Sequence, residues 1–401
     1  MTSDLALKSS AINPQKRNLL IEVAIVAAIA IVLVFVMPKL LNSFWLELLG
    51  KFLAYAIVAL GIDLIWGFAG LLSLGHGVFF GLGGYALAMH IKLQIPPDAT
   101  SQLPDFMGLY DITELPWFWH PFRSLGFATT AAVILPALVG GLLGFMIFRN
   151  RIRGVYFSIL TQATTVIFYN FFNGQQKLFN GTNGLTDFKT ILGATVSAPG
   201  TKYAFYCLIV AFLALTYALC RWLTSGTFGR LLVAIRDDES RVRFSGYSPT
   251  GYKVLVFTIS AALAGLAGAL FAGLNGSISP RYMNITSSID MVIWVAVGGR
   301  ASLVGAVLGT VLVKSAENLL SERFPDIWLF FQGAIFLLVV MLLPNGVVGW
   351  LRTQGLEYLR ILFGHRRTSE TYPSLEENLE EVPEDLAITD RGNYEGKDSR
   401  D

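Results

Sequence analysis

Charged residues are scarce in this sequence. Asp, Glu, Lys and Arg make up 14% of the 401 residues, whereas soluble globular domains carry about 25%. Hydrophobic residues reach 54%. This composition excludes disorder for most of the chain and argues against a soluble enzyme. The formal net charge is only +2 and no region is strongly basic, which argues against a nucleic-acid partner.

Cysteine is also nearly absent. Cys207 and Cys220 lie in one apolar segment, where a helix would hold them about 20 Å apart, too far for a disulfide. The sequence contains no GxxxxGK[ST] nucleotide-binding loop, no HExxH motif and no CxxC pair. We therefore predict a protein that is not an enzyme, binds no cofactor or metal, and depends on another chain for any ATP hydrolysis.

Long apolar runs are what this sequence does contain. Each is close to the 20 or so residues that a helix needs to cross a bilayer. The runs are 19–37, 50–66, 68–91, 125–148, 154–172, 203–223, 253–275, 288–313 and 327–349. They predict a single transmembrane domain at 19–351, preceded by a cytoplasmic tail at 1–18. The acidic segment 352–401 is predicted to be a largely disordered cytoplasmic tail.

The distribution of Lys and Arg predicts the orientation of these spans. Basic residues precede the first span and cluster near Arg153 and Arg236, which places those loops in the cytoplasm. Basic residues also follow the last span, so both termini are predicted to be cytoplasmic. Nine crossings, an odd number, would place the termini on opposite sides of the membrane, so a further crossing or re-entry is needed. The break Gly298-Gly299-Arg300 is the favoured site for an extra crossing or re-entry. The sequence thus predicts an all-α membrane protein with about ten embedded segments.

One apolar segment is unusually rich in glycine. Seven glycines fall between Gly67 and Tyr85. Within a membrane, such a segment permits close helix crossings or a partly unwound element. It would line a translocation path, with Ser73 and His76 as polar groups upon it, or it would be only a packing face with an inert histidine.

Further polar residues within or next to the spans are candidates for the path. Asp63 lies well inside a span, where an ionisable group is costly, and it would serve as a proton site, a substrate acceptor or a structural hydrogen-bonding group. Thr161, Gln162, Thr165 and Asn183 are neutral groups that suit a small neutral polar solute. The alternative is that they hold helices together.

The cytoplasmic loop 224–252 mixes apolar and charged residues at helical spacing. Such a pattern predicts a short amphipathic helix that docks on a cytoplasmic partner. A solvated basic loop that only fixes topology is the alternative. Five apolar residues are the proposed anchors: Leu231, Val233, Ile235, Val242 and Phe244.

Three motifs together resemble the permease subunits of branched-chain amino acid ABC importers. They are Leu-Ser-Leu-Gly-His at 72–76, Gly-Arg…Ala-Ile-Arg-Asp…Glu…Gly at 229–246, and Tyr-Lys…Phe…Ser-Ala-Ala-Leu-Ala-Gly-Leu-Ala-Gly-Ala at 252–269. The resemblance covers about 45–350. Segments 115–119, 183–188 and 292–300, with the acidic tail, are similar to the urea-type subgroup.

The resemblance implies a type II importer fold in a bacterial cytoplasmic membrane. The expected partners are a second paralogous permease, two ATPase subunits and an extracytoplasmic substrate-binding protein. Urea is the expected substrate, and branched-chain or other amino acids are the alternative. A distant alternative is an ion-coupled transporter or channel with Asp63 and His76 as proton sites.

In the family that this chain resembles, loop 227–247 is seated on the ATPase. Glu239 and Gly246 match the family motif, whereas Arg241 and Val242 replace a pair of alanines, so the seating is expected to differ in detail. The coupling residues implied are Gly229, Arg236, Asp237, Glu239, Arg241 and Gly246.

Overall fold

The computed structural model describes residues 14–95, 103–108, 110, 112–325, 327–342 and 346–350. The predicted tail 352–401 and most of the predicted tail 1–18 lie outside these residues. The first helix begins at Pro14, so residues 14–18 belong to it rather than to the tail.

The described chain is mostly helical, because its apolar runs satisfy their backbone hydrogen bonds internally. The helices are α1 Pro14–Phe35, α2 Met37–Leu40, α3 Ser43–Asp63, α4 His76–Lys92, α5 Asp105–Gly108, α6 Leu125–Arg149, α7 Val155–Gly174, α8 Gln176–Phe179, α9 Pro199–Ser225, α10 Thr227–Asp237, α11 Glu239–Phe244, α12 Pro249–Asn275, α13 Ile285–Gly298, α14 Leu303–Arg323, α15 Trp328–Leu342 and α16 Gly346–Trp350.

Shorter elements join these helices. A π-helical turn, Leu64–Phe68, extends α3, and 3-10 turns occur at Trp117–Arg123, Gly181–Asn183 and Pro280–Met283. The strands β1 Thr190–Ile191 and β2 Ala194–Thr195 form an antiparallel hairpin, in which Thr190 pairs with Thr195 and Ile191 with Ala194.

Six of the described helices are long and apolar enough to cross a membrane: Ser43–Phe68, Leu125–Arg149, Val155–Gly174, Pro199–Ser225, Pro249–Asn275 and Leu303–Arg323. Helices α1, α4, α13 and α15 are further apolar segments in the described part of the chain. The structure confirms the predicted all-α membrane fold, with six candidate spans among the described residues. The number of about ten embedded segments stays a prediction.

Two predicted spans have a different structure from that expected. The run 68–91 is not one helix, since residues 69–75 are unwound and α4 starts at His76. The run 288–313 is two helices, which end and begin around the predicted glycine break. Contacts of Gly298 with Gly305 and of Trp294 with Gly309 show that α13 and α14 are antiparallel. The helical break therefore lies where the glycine pair predicted it. The cytoplasmic position of both termini stays a prediction.

Helices α3, α4 and α12 form the core of the described structure. Residues 76–91 of α4 are buried throughout. The glycines of α4 allow it to cross α12 with the two backbones in contact, because a methyl group on Gly83 would overlap the backbone of Gly265. A methyl group on Gly268 would likewise overlap the Phe80 carbonyl. Helices α6, α7 and α9 surround this core and present large apolar side chains outward, as lipid-facing helices do.

Candidate functional site

The unwound segment 69–75 lies against α7, whose hydroxyl groups bond its backbone. Ser158 Oγ donates to the Leu72 carbonyl at 2.7 Å, and the Leu74 N–H donates to Thr161 Oγ1 at 3.0 Å. Thr165 Oγ1 donates to the Leu74 carbonyl at 3.3 Å. Unwound backbone at membrane depth requires such partners. The glycine-rich segment and the polar stretch of α7, which the sequence presents separately, therefore form one cluster.

Ser73 and His76 close this cluster on the side of α12. The His76 Nδ1 lies 3.0 Å from Ser73 Oγ, and its Nε2 lies 2.8 Å from Ser260 Oγ. The imidazole is fully buried, edge-on to the rings of Phe79 and Phe257. A neutral imidazole donates through one nitrogen and accepts through the other, so two serine hydroxyls satisfy it completely. In this conformation His76 connects α4 to α12 and faces no open channel.

Two further candidates lie apart from the cluster. Gln162 is half-buried on α7, and Asn183 is exposed in the turn Gly181–Asn183. The loop that follows this turn pairs with the connection after α12, since Leu185 and Ile278 exchange two backbone hydrogen bonds of 2.8 Å. Neither Gln162 nor Asn183 thus shares the environment of Ser73, His76, Thr161 and Thr165.

Asp63 lies where α3 gives way to its π-helical turn. Its Oδ1 accepts the backbone N–H of Ala301 at 2.7 Å. Ala301 is in the turn between α13 and α14 and has a left-handed backbone with φ 57°. The Oδ2 atom is buried and has no hydrogen-bond partner among the described residues. Asp63 therefore ties the α13–α14 turn to the end of α3.

The predicted amphipathic helix exists as α10, and Arg236 connects it to the unwound segment. Its Nη1 donates to the Gly67 carbonyl at 2.8 Å, and its Nε lies 3.0 Å from Asp237 Oδ1. The Arg236 side chain also packs on Gly70, whose φ is 71°. A contact thus runs from α10 to the point where α3 unwinds.

At the other end of α10, Gly229 is buried against the backbone of Thr224. A Cβ atom would overlap that backbone, so glycine permits the tight passage from α9 into α10. This contact fixes the direction in which α10 leaves the membrane domain.

Glu239 is the centre of an ion-pair cluster that sequence reasoning did not identify. It pairs with Arg243 at 2.7 Å and Lys253 at 2.6 Å, and Arg153 Nε lies 3.0 Å from it. Burial alone would raise the pKa of Glu239, but the hydrogen bonds from Arg243 and Lys253 outweigh it, so the pKa lies below its usual value. The cluster joins the loop after α6, helix α11 and the start of α12. The basic residues clustered near 153 and 243 are the feature of the sequence from which this ion-pair cluster could have been predicted.

The outer surface of α10 and α11 differs from the predicted one. Ile235 and Val242 are buried within the chain and are unavailable to a partner, whereas Phe244 is 93% exposed. Arg241 is exposed and pairs with Asp238 at 3.0 Å. Gly246 takes a left-handed φ of 86°, which lets the chain turn towards α12.

Comparison with known proteins defines the class to which this membrane fold belongs. Residues 44–340 match the family model described as branched-chain amino acid transport system / permease component. The chain belongs to this family.

Individual relatives agree with the family match. The high-affinity branched-chain amino acid transport system permease protein LivM of Salmonella typhimurium is 29% identical over 75% of this chain and 69% of its own length. LivM of Escherichia coli is 28% identical with the same coverage. LivH of Salmonella typhimurium is 27% identical over 74% of this chain and 91% of its own length. No solved structure matches the chain.

Proposed function

We propose that this chain is one of two permease subunits of an ATP-driven importer of branched-chain amino acids in a bacterial cytoplasmic membrane. The family supports the permease role, and the relatives named as branched-chain amino acid permeases support the substrate. The partners proposed are a paralogous permease, two ATPase subunits and an extracytoplasmic binding protein, with no cofactor on this chain. Urea, which three segments of the sequence favour, is the competing substrate.

The observation that carries the proposal is the Arg236–Gly67 contact. Helix α10 is the surface on which an ATPase would act, and Arg236 reaches from it to the start of the unwound segment. Asp63 then connects this point to the α13–α14 turn. A displacement of α10 on ATP binding would therefore act on both non-helical elements together and shift the permease between outward- and inward-facing states.

The test is uptake by the complete importer reconstituted in vesicles, with labelled L-leucine and labelled urea in parallel. Wild-type protein is expected to accumulate leucine only when ATP is enclosed with the ATPase subunits. Arg236→Met is expected to lower leucine uptake about tenfold relative to ATP hydrolysis, because it removes a charge-assisted hydrogen bond. Arg149→Met is the control, since this exposed arginine at the end of α6 lies over the Phe145 ring.

Two results would contradict the proposal. Uptake of urea without leucine would reassign the substrate and leave the coupling intact. Equal ratios of transport to hydrolysis in Arg236→Met and wild type would remove the coupling role of Arg236.

A further inference from the structure

A polar cleft of about 250 Å³ opens between α3, α12 and α14. Charged side chains line it, namely Lys51, Lys314 and Glu317, together with the rings of Tyr55 and Tyr282. The cleft lies near the start of α3 and the end of α14. Asp63 and Ala301 mark the opposite ends of these helices, where Arg236 of the predicted cytoplasmic loop 224–252 contacts Gly67. The cleft is therefore on the predicted extracytoplasmic side.

The charges of this cleft are of both signs and are partly withdrawn from solvent. Lys314 pairs with Glu317, and their side chains are 16% and 27% exposed. Lys51 pairs with Glu47 at 2.9 Å. A lysine ammonium has three donors, so each lysine keeps donors for a further acceptor. Charges in such a partly enclosed site act more strongly than they would in bulk water.

Aromatic rings form the inner wall of the cleft. The Lys314 ammonium lies 5.2 Å from the Tyr55 ring centre and 5.7 Å from that of Trp294. Trp294 lies behind the lining residue Tyr55, with the two ring centres 4.9 Å apart, so the wall of the cleft is two aromatic rings deep at this point.

We infer that the cleft receives a free α-amino acid before it enters the membrane path. Lys51 and Lys314 would bind the carboxylate, Glu317 would bind the ammonium group, and the aromatic wall would contact the apolar side chain. This inference rests on the proposed function and adds the recognition of the zwitterion to it. Urea has no charge, so its binding would not compensate for the free-energy cost of removing these charged side chains from water.

Charge-removing variants in the complete importer test the inference. Glu317→Gln and Lys314→Met are expected to lower ATP-driven L-leucine uptake about tenfold, because each removes one half of the zwitterion's recognition. Subunit assembly is expected to be unchanged, which distinguishes a loss of recognition from a loss of the complex. Asp105→Asn and Lys92→Met are matched controls, since this 3.3 Å ion pair lies elsewhere on the same predicted face.

The outcomes distinguish a failure of this inference from a failure of the proposed function on which it rests. If wild type imports leucine and the cleft variants do so equally well, the inference is overturned and the proposed function stands. If wild type imports urea but no leucine, the proposed function fails instead.

A second measurement, on the wild-type complex, covers variants that do not assemble. A diazirine analogue of leucine is photo-crosslinked and the labelled peptides are mapped. Labelling within 48–55 or 314–321 that excess leucine suppresses supports the inference. Labelling confined to other segments overturns it.

Discussion

Arg236 donates a 2.8 Å hydrogen bond to the carbonyl of Gly67, a residue 169 positions earlier in the chain. The contact joins a helix outside the membrane-spanning segments to the π-helical turn that follows α3. Gly67 in turn lies against Ala301, leaving no room for a Cβ atom. Three segments that are distant in sequence therefore meet at one point: α10, the end of α3 and the α13–α14 turn.

Asp63→Leu is expected to destabilise the protein by about 1–3 kcal/mol, because it leaves the N–H of Ala301 without the acceptor that the buried Asp63 provides. Asp63→Asn is the matched control, since its amide oxygen can accept the same bond. Thermal unfolding in detergent measures the difference. Equal unfolding midpoints for Asp63→Leu and wild type would show that the α13–α14 turn does not depend on this bond.

Glu239→Gln is expected to lower stability at pH 7 by about 3 kcal/mol, because it leaves the buried Lys253 ammonium without its counter-charge. The lowered pKa of Glu239 means that the ionised carboxylate favours the folded state. Its contribution is present above the unfolded pKa of about 4.3 and disappears as the pH falls through the lower folded value. Unfolding midpoints of wild type and Glu239→Gln should therefore converge in acid, and a constant gap would contradict this assignment.

Gly268→Ala is expected to destabilise the α4–α12 crossing by about 1–3 kcal/mol through overpacking against the Phe80 carbonyl. Gly251→Ala is the control on the same helix, because a Cβ atom there meets nothing within 4 Å. Alanine favours a helix by up to about 1 kcal/mol over glycine, so the control should be neutral or stabilising. Similar unfolding midpoints for the two variants would mean that α4 and α12 can move apart to accommodate the methyl group without a loss of stability.

Phe244→Ala is expected to weaken binding of the ATPase subunits about tenfold while leaving the unfolding midpoint of this chain unchanged, because its ring is 93% exposed. Trp117→Ala is the control, since that ring is 84% exposed but precedes α6, at the end of this span opposite to the predicted cytoplasmic loop near Arg153. Co-purification of the ATPase with each variant measures the effect. Full retention of the ATPase by Phe244→Ala would place the docking contact elsewhere.

Local patterns predicted the elements of this protein well. Apolar runs of membrane length predicted helices such as α6, α9 and α12, because the bilayer requires each span to satisfy its own backbone. The glycine pair at 298–299 located the break between α13 and α14. The inference from charge asymmetry that nine crossings do not suffice stays a prediction. The same reasoning predicted that the region around 67–85 permits unwinding, without showing which residues would bond the freed backbone.

The sequence by itself determined the class of fold and the position of the amphipathic helix, since both follow from hydrophobicity and charge along the chain. Only the tertiary structure decided the partners of the polar groups. It paired the hydroxyls of α7 with the unwound segment, His76 with two serines, and Glu239 with cations from three segments. It also brought Lys51, Lys314 and Glu317 into one cleft. Such pairings depend on how helices that are distant in sequence pack together, and the pattern of hydrophobic and charged residues along the chain does not specify that packing.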